Sequence, residues 1–582
     1  MITEGLVMRL FVIFVLFIGL LDASNMYKKI DDWDVNATKK PMPIVTKNIG
    51  SGMGGNIMPV APMVASAPRV KTRKIGLSVG GAKDSDNFIQ NIKNGYLPKL
   101  DSITYEGVFY DHYFNSPNQE CEMLFCPSYT LAKVKNLYSD KDEYFISVGL
   151  DSGLDISKFK RDKLNLVVVL DVSGSMSGSF DRYYYDKNHN RHTKKHKTKM
   201  EIANETIVAM MKHLKPEDRF GVVLFDDRSY SVKPLRDVKT TDMKAISEHI
   251  LDIKPMGGTN WSAGYKEALK YFKKVSKKGY ENRIIFITDA MPNSGELSKK
   301  GLFGMTKMAS KEGIHTTFFG VGVDFNANLV EYVSKVKGAN YYSVHSAKEF
   351  AKRLDKEFDY MVTPLVYDLS LKLTSKSFKI DAVYGAPKAD IKTGEVLRVD
   401  TLFASDSNED GNKGGVILLK VSKLSSDNSE LTLNVTYKDR YQHTFKNQKT
   451  ISFDKVNGYE NSAIEKSILL ANYVSLMKNW IIDARAGCND KLDYNNLTYK
   501  QVLDRCIINP IESPYIRYMK TWERKSCKLH ISDGYKKLLS VFRRHFKATM
   551  KSLHDKSLTK ELDVLNLLLR DNLDLIDDWN RQ

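Results

Sequence analysis

The rhythm of hydrophobic positions changes along the chain, and each change marks a different kind of structure. Between Lys163 and Met361, uninterrupted apolar runs alternate with stretches of helical period. LNLVVVLD ending at Asp171, FGVVLFD ending at Asp226, RIIFITD ending at Asp289 and IHTTFFGVG (314–322) read as strands buried on both faces. ANYYSV (339–344) and residues 230–233 read as shorter strands, the latter at an edge. Helices are predicted over 199–214, 242–250, 262–275, 302–311, 328–336 and 347–360. This alternation means a doubly wound, mostly parallel α/β sheet.

From Leu365 to Phe453 the period becomes two. LSLKLTS, GEVLRVDTLF, GVILLKVS, ELTLNVTY and HTFKNQKTISF predict an antiparallel β-sandwich. From Gly458 the chain turns helical, over 462–482, 499–507, 534–551 and 558–575. The stretch from Lys74 to Leu154 is mixed, with strands at IGLSVGG and EYFISVGL and a short helix over 87–94. So few strands make a marginal sheet on their own. Segments 75–160 and 365–455 are therefore expected to pack as one unit, with the α/β domain inserted between them. The expected organisation is 1–23 a signal peptide or N-terminal anchor, 24–73 a flexible linker, 74–162 a β-rich segment, 163–361 the α/β domain, 362–456 the β-sandwich and 457–582 the helical region.

Composition narrows the picture. In 582 residues, 42% are hydrophobic and 27% charged, which excludes a mostly disordered or collagen-like chain. After Arg9, residues 10–21 (LFVIFVLFIGLL) form an apolar core of signal-peptide length, with a cleavage position after Ala23. This places the protein outside the cytoplasm, in the periplasm or cell envelope, secreted or membrane-anchored through its N-terminus. No acidic residue lies between Val35 and Lys83, and the Pro, Gly and Ser content there reads as a linker. Gly50, Gly52 and Gly55 satisfy G-x-G-x-x-G, but no strand or helix flanks them, so no dinucleotide site is assigned. Cys121 and Cys126 suggest a small disulfide loop, with two free thiols as the alternative. Cys488, Cys506 and Cys527 lie far downstream, and the odd total leaves at least one thiol unpaired.

Candidate chemistry sits at strand ends. Asp171-Val-Ser173-Gly-Ser175 closes the first buried strand, Thr259 lies in a Gly-rich MGGTN loop before a helix, and Asp289 closes another strand. Ligands of doubly wound sheets bind at these carboxyl ends. Two carboxylates and three hydroxyls are hard oxygen donors suited to Mg²⁺, with Mn²⁺ or Ca²⁺ as alternatives. At these residues the chain resembles the von Willebrand factor A (VWA) family. D-x-S-x-S at 171–175, Thr259 and Asp289 match its metal-ion-dependent adhesion site. The resemblance implies that Ser173, Ser175 and Thr259 touch the metal and that Asp171 and Asp289 hold it mostly through water. It also implies that a carboxylate of a protein partner completes the coordination. The flanking β-rich segments and helical tail resemble large bacterial exported VWA proteins, including those described as calcium-activated-chloride-channel-like.

The expected function is therefore non-enzymatic, metal-dependent protein binding. The alternative is an assembly factor or chaperone-like adaptor of an envelope complex. No H-E-x-x-H, P-loop or nucleophile–base pair points to an enzyme. The charge of +18 leaves anionic partners open. Nucleic acid is not expected, because an exported protein rarely meets it. Residues 177–199 insert seven Lys/Arg against two Asp beside the proposed metal, together with His189, His192 and His196. This insert is a solvated loop, a positive rim that steers an acidic partner, or a histidine metal site. No residue of it is expected at the oxygen site itself. The basic helix GYKKLLSVFRRHFKATMK either faces the core through Leu538, Leu539, Phe542 and Phe546 or docks on a membrane surface.

Overall fold

The structure, a computed structural model, describes residues 29–38, 74–79, 81–83, 85–115, 122–179, 197–290, 301–322, 332–333, 335–386, 396–424, 430–489, 491–508 and 527–570. The signal or anchor over 1–23, most of the linker expected over 24–73, the histidines of the insert and most of the helix expected over 328–336 lie outside them; residues 29–38 of that expected linker are described and are held on the α/β domain by backbone bonds. Among the described residues no helix is long and apolar enough to cross a membrane.

The α/β domain has a seven-stranded sheet. Its order is Ala82–Lys83, Asn340–Val344, Ile314–Val321, Tyr280–Thr288, Lys163–Asp171, Arg219–Phe225 and Ser229–Asp237. All neighbours are parallel except the last pair. The central Lys163–Asp171 strand shows why its sequence is continuously apolar. Leu166, Val168 and Leu170 enter the core on one face, and Val167 and Val169 enter the core on the other. Two residues from before the domain, Ala82 and Lys83, extend the sheet at one edge.

The expected β unit is a single sheet of ten strands. Strands from both sides of the insertion alternate in it: Val416–Lys423 pairs with Asp142–Asp155, which pairs with Lys74–Val79, which pairs with Val396–Ser405. The strands of 365–455 thus do not close a sandwich by themselves, because two N-terminal strands stand between them. The long Asp142–Asp155 strand also pairs with Cys126–Lys135. The two halves of the sheet share one core, where Phe125 packs edge-on against Tyr437 with ring centroids 5.2 Å apart.

The helical region builds the third body, and its core recruits residues from the segment expected to be β-rich. Phe88, Ile92, Val108 and Phe109, on helices Asp86–Lys93 and Tyr105–Tyr110, pack with Trp480, Leu538 and Phe546. The Arg485 guanidinium, buried in helix Ser462–Cys488, donates to the carbonyls of Pro98 (2.7 Å) and Leu97 (2.9 Å). Leu538, Leu539, Phe542 and Phe546 are all buried in helix Asp533–Leu553, so its apolar face belongs to this core and is not free to dock on a membrane. Cys488 and Cys527 form a disulfide. Cys126 is also disulfide-bonded, while Cys121 lies outside the described residues.

Two features tie the α/β domain to its surroundings. At its entry, the buried Arg161 guanidinium donates to Asp218 (3.0 and 2.5 Å), to Asp359 (2.7 Å) and to the His213 carbonyl (2.7 Å). Asp218 also accepts from the backbone N–H groups of Leu164 and Lys215. At its exit, the helix expected over 347–360 is interrupted. A π turn, Lys352–Lys356, separates the α-helices Ala347–Ala351 and Phe358–Met361, with the Glu357 N–H bonded to the Lys352 carbonyl. Glu357 there meets Arg353, Tyr110 and Lys413 in a buried ionic cluster. Despite its burial, Arg353 and Lys413 hold its carboxyl down to about 2.

An N-terminal arm, residues 29–38, lies along the outer strand of the α/β sheet. The Asp34 N–H donates to Val232 (2.8 Å), and Ile30 exchanges backbone bonds with Thr240 and Asp242. Trp33 stacks on His249 at 5.4 Å, and the Asp32 carboxylate sits 3.3 Å from the fully buried Lys233 ammonium. The arm covers backbone that would otherwise be an open sheet edge.

Candidate functional site at the carboxyl edge of the sheet

Three loops meet where the central strands end. The Lys163–Asp171 strand delivers a fully buried Asp171, and the chain then turns through Ser173 and Ser175. The Tyr280–Thr288 strand beside it delivers the buried Asp289. The loop at 256–259 is held against the first by two backbone bonds, Met256 N–H to the Val172 carbonyl and Gly174 N–H to the Gly257 carbonyl.

The side chains form a connected polar set. The Ser175 hydroxyl donates to Asp289 Oδ1 (2.6 Å) and lies 3.0 Å from the Ser173 hydroxyl. Asp171 Oδ1 accepts from the Ser173 N–H (2.8 Å), and its Oδ2 accepts from the Thr288 hydroxyl (2.6 Å). Burial raises the Asp171 carboxyl to about 6. The Ser173 and Thr288 hydrogen bonds hold it down, and the nearby Asp289 charge adds to the rise. Ser175 and Thr259 are exposed, so the set opens to solvent on the hydroxyl side.

The GGTN loop has its own support. Gly257 has φ +67°, and a Cβ there would stand 2.4 Å from Asp226 Oδ2, so only glycine fits. A Cβ at Gly258 would meet Asp227 Oδ1 at 2.3 Å. Asp226 is fixed by the Tyr230 hydroxyl (3.0 and 2.9 Å) and the Arg228 N–H, and Asp227 accepts from the Gly258 N–H (3.0 Å). Asn260 then caps helix Trp261–Phe272 by accepting from the Ala263 N–H.

The structure thus brings Asp171, Ser173, Ser175 and Asp289 into direct hydrogen-bonded contact and sets the Thr259 loop beside them. Their oxygens fit a hard divalent cation. Among the described residues, no group of three or more His, Cys, Asp or Glu offers an alternative metal cluster.

Sequence reasoning missed three supporting groups. Thr288 orients Asp171 and is itself fixed by the Trp261 indole N–H (3.1 Å). Its position next to Asp289 at a strand end was the available signal. Asp226 and Asp227 close the neighbouring strand in the same way, and they shape the glycine loop. The third is Lys199, which the reading of the insert kept away from the site. Its ammonium lies 3.0 Å from Asp289 Oδ2. Ser179 pairs with Thr198, and Lys199 N–H donates to the Gly178 carbonyl, so the insert's two ends meet at this loop.

Residues 166–292 match the family model described as von Willebrand factor type A domain. The chain is 24% identical over 210 residues to the uncharacterized protein YfbK of Escherichia coli (strain K12), covering 36% of this chain and 33% of that protein. It is 22% identical over 219 residues to inter-alpha-trypsin inhibitor heavy chain H1 of Mesocricetus auratus, covering 37% and 22%. The match thus spans a third or less of either relative's length. Among solved structures, a von Willebrand factor type A protein from Catenulispora acidiphila aligns over 72% of this chain and 96% of its own, with 15% identity and a TM-score of 0.39. The matched residues span the D-x-S-x-S loop, the glycine loop and Asp289, and over residues 166–292 the chain carries a domain similar to the von Willebrand factor type A domain.

Proposed function

We propose that this is an exported protein that binds a carboxylate-bearing protein partner through a divalent cation held at Asp171, Ser173, Ser175, Thr259 and Asp289. The observation that carries the reading is the Ser173–Ser175–Asp289 hydroxyl–carboxylate chain at the strand ends, with Asp171 turned toward it by the Ser173 N–H. When bound, the cation would supply Lewis acidity toward the partner's oxygen. The protein's own residues hold it with only two carboxylates, which leaves room for a third from outside. Mg²⁺ fits best, and Mn²⁺ or Ca²⁺ would suit the same donors. Export is supported by residues 10–21 and by the Cys488–Cys527 disulfide, since such bonds persist in oxidising compartments.

The test is a calorimetric titration with Mg²⁺ and Mn²⁺. The parent should bind one ion, while Asp171→Ala and Asp289→Ala should bind none and keep the parent's circular dichroism spectrum. Unchanged binding in both variants would remove the assignment. Capture of a partner that is lost on adding a chelator would extend it to the protein ligand.

Binding should also depend on pH. The fold favours protonated Asp171, so in the metal-free protein this group contributes stability below its ordinary 3.8, and that contribution is lost as pH rises through about 6. A divalent cation requires the ionised form. Its apparent affinity should therefore rise about tenfold between pH 5 and 7 and level off above. A flat profile across that range would show that Asp171 is already ionised at pH 5.

A further inference from the structure

We propose that Lys199 is a resident counter-cation of the adhesion site. It weakens the hold on the divalent ion and leaves the loaded site positively charged, so that the site selects a carboxylate. The inference rests on the metal-site reading above and concerns a residue outside the five oxygen donors.

Lys199 is the first residue of helix Lys199–Met211, and its backbone is fixed. Thr198 and Glu201 form a reciprocal cap, with the Thr198 hydroxyl accepting from the Glu201 N–H and the Glu201 carboxylate accepting from the Thr198 N–H. A lysine in a helix's first turn opposes the helix dipole, which favours acidic residues there. Something must offset that cost, and the ion pair to Asp289 does. The ammonium lies 3.0 Å from Asp289 Oδ2, with the lysine side chain 15% exposed and the carboxylate fully buried. The aliphatic stem runs in a slot cleared by Gly322. That residue has φ +67°, and a Cβ on it would stand 3.0 Å from Lys199 Cε. The two oxygens of Asp289 are thus divided, with Oδ1 facing Ser175 and Oδ2 facing Lys199.

Counted by formal charge, Asp171, Asp289 and Lys199 sum to −1 in the empty site. A divalent cation brings it to +1, and one partner carboxylate brings it to neutrality. Without Lys199 the loaded site would already be neutral, and a carboxylate would leave an uncompensated negative charge in a partly buried place, which is costly. Lys199 therefore shifts binding strength from the ion to the partner. Arginine would keep the charge, and methionine would keep most of the stem without it.

The test uses the full exported chain, Mn²⁺ as the metal and acetate as the carboxylate probe. Mn²⁺ affinity is read by electron paramagnetic resonance of the free ion. Acetate binding is read by the fall in water-proton relaxation as it displaces water from bound Mn²⁺. Lys199→Met should bind Mn²⁺ on the order of tenfold more tightly than the parent and lose most of the acetate response. Lys199→Arg should resemble the parent in both. Equal Mn²⁺ affinity and acetate response in parent and Lys199→Met would overturn the inference while leaving the metal site standing. Weaker Mn²⁺ binding in Lys199→Met would overturn it too, by showing that the lysine merely supports the ligand loop. If the parent binds no Mn²⁺, the metal-site reading falls and this inference falls with it.

Discussion

Asp218→Ala should lower the stability of the α/β domain by about 3–5 kcal/mol, the range for breaking a buried pair by removing one partner. Asp218 is fully buried and accepts from Arg161 and from two backbone N–H groups. Its removal strands a buried guanidinium and orphans both amides. The damage falls where the domain joins its host, because Arg161 precedes the first strand and its other carboxylate partner, Asp359, lies on the last helix. Urea unfolding followed by circular dichroism would check this. The domain's transition should move to lower denaturant while the helical region's does not. The double variant Arg161→Met/Asp218→Leu should recover part of the loss, since it leaves no buried charge unpaired and Asp359, which loses its partner, is exposed to water. A shift under 1 kcal/mol in Asp218→Ala would show that water reaches the pair.

Removing the Cys488–Cys527 bond through a Cys488→Ser/Cys527→Ser variant should cost the helical region about 4 kcal/mol. Cross-linking residues 39 apart removes about that much chain entropy from the unfolded state. The bridge joins the end of helix Ser462–Cys488 to the strand-like pairing at Tyr96 and Lys528. A thermal scan with and without reductant would register it as a lower transition for the helical region. No change in the double variant would mean that the buried contacts around Trp480 already restrict the unfolded chain.

The α/β domain was legible because its signals are local. Uninterrupted apolar runs closed by Asp171 and Asp289 announce parallel strands with ligands at their ends, and the structure places both carboxylates together. The merging of the two β-rich segments was legible too, from the shortage of strands in the first. Which strands interleave was not, since pairing of Lys74–Val79 with Val396–Ser405 spans more than three hundred residues and leaves no periodic trace. The helix expected over 87–94 was placed with the β-rich segment, and the helix at 105–110 was not foreseen, for the same reason: their partners lie near residues 464–546. At the candidate site, Asp171, Ser173, Ser175, Thr259 and Asp289 carry a spaced pattern, whereas Lys199 is one lysine in a run of basic residues. Only its anchoring by Thr198 and the opening at Gly322 single it out, and both are three-dimensional facts. The π turn at 352–356 is equally silent in sequence, since the residues around it continue a helical period.

The arm along the outer strand has a mechanical consequence. A pull delivered through the residues that precede Lys29 reaches the α/β domain at Ile30, Asp32 and Asp34 before it reaches the ten-stranded sheet. The arm's backbone bonds fall at Val232, within the Ser229–Asp237 strand, and at Thr240 and Asp242 beyond that strand's end, with the Asp32–Lys233 contact as a buried anchor point between them. Only once the arm detaches does the force arrive at Lys74 and the strand that begins there. The protein then has two tensile states separated by one release event. In the first, force ends in the α/β domain, and in the second it passes to the β sheet. The arm thus behaves as a fuse ahead of the β sheet, and its breaking strength is set by ten residues.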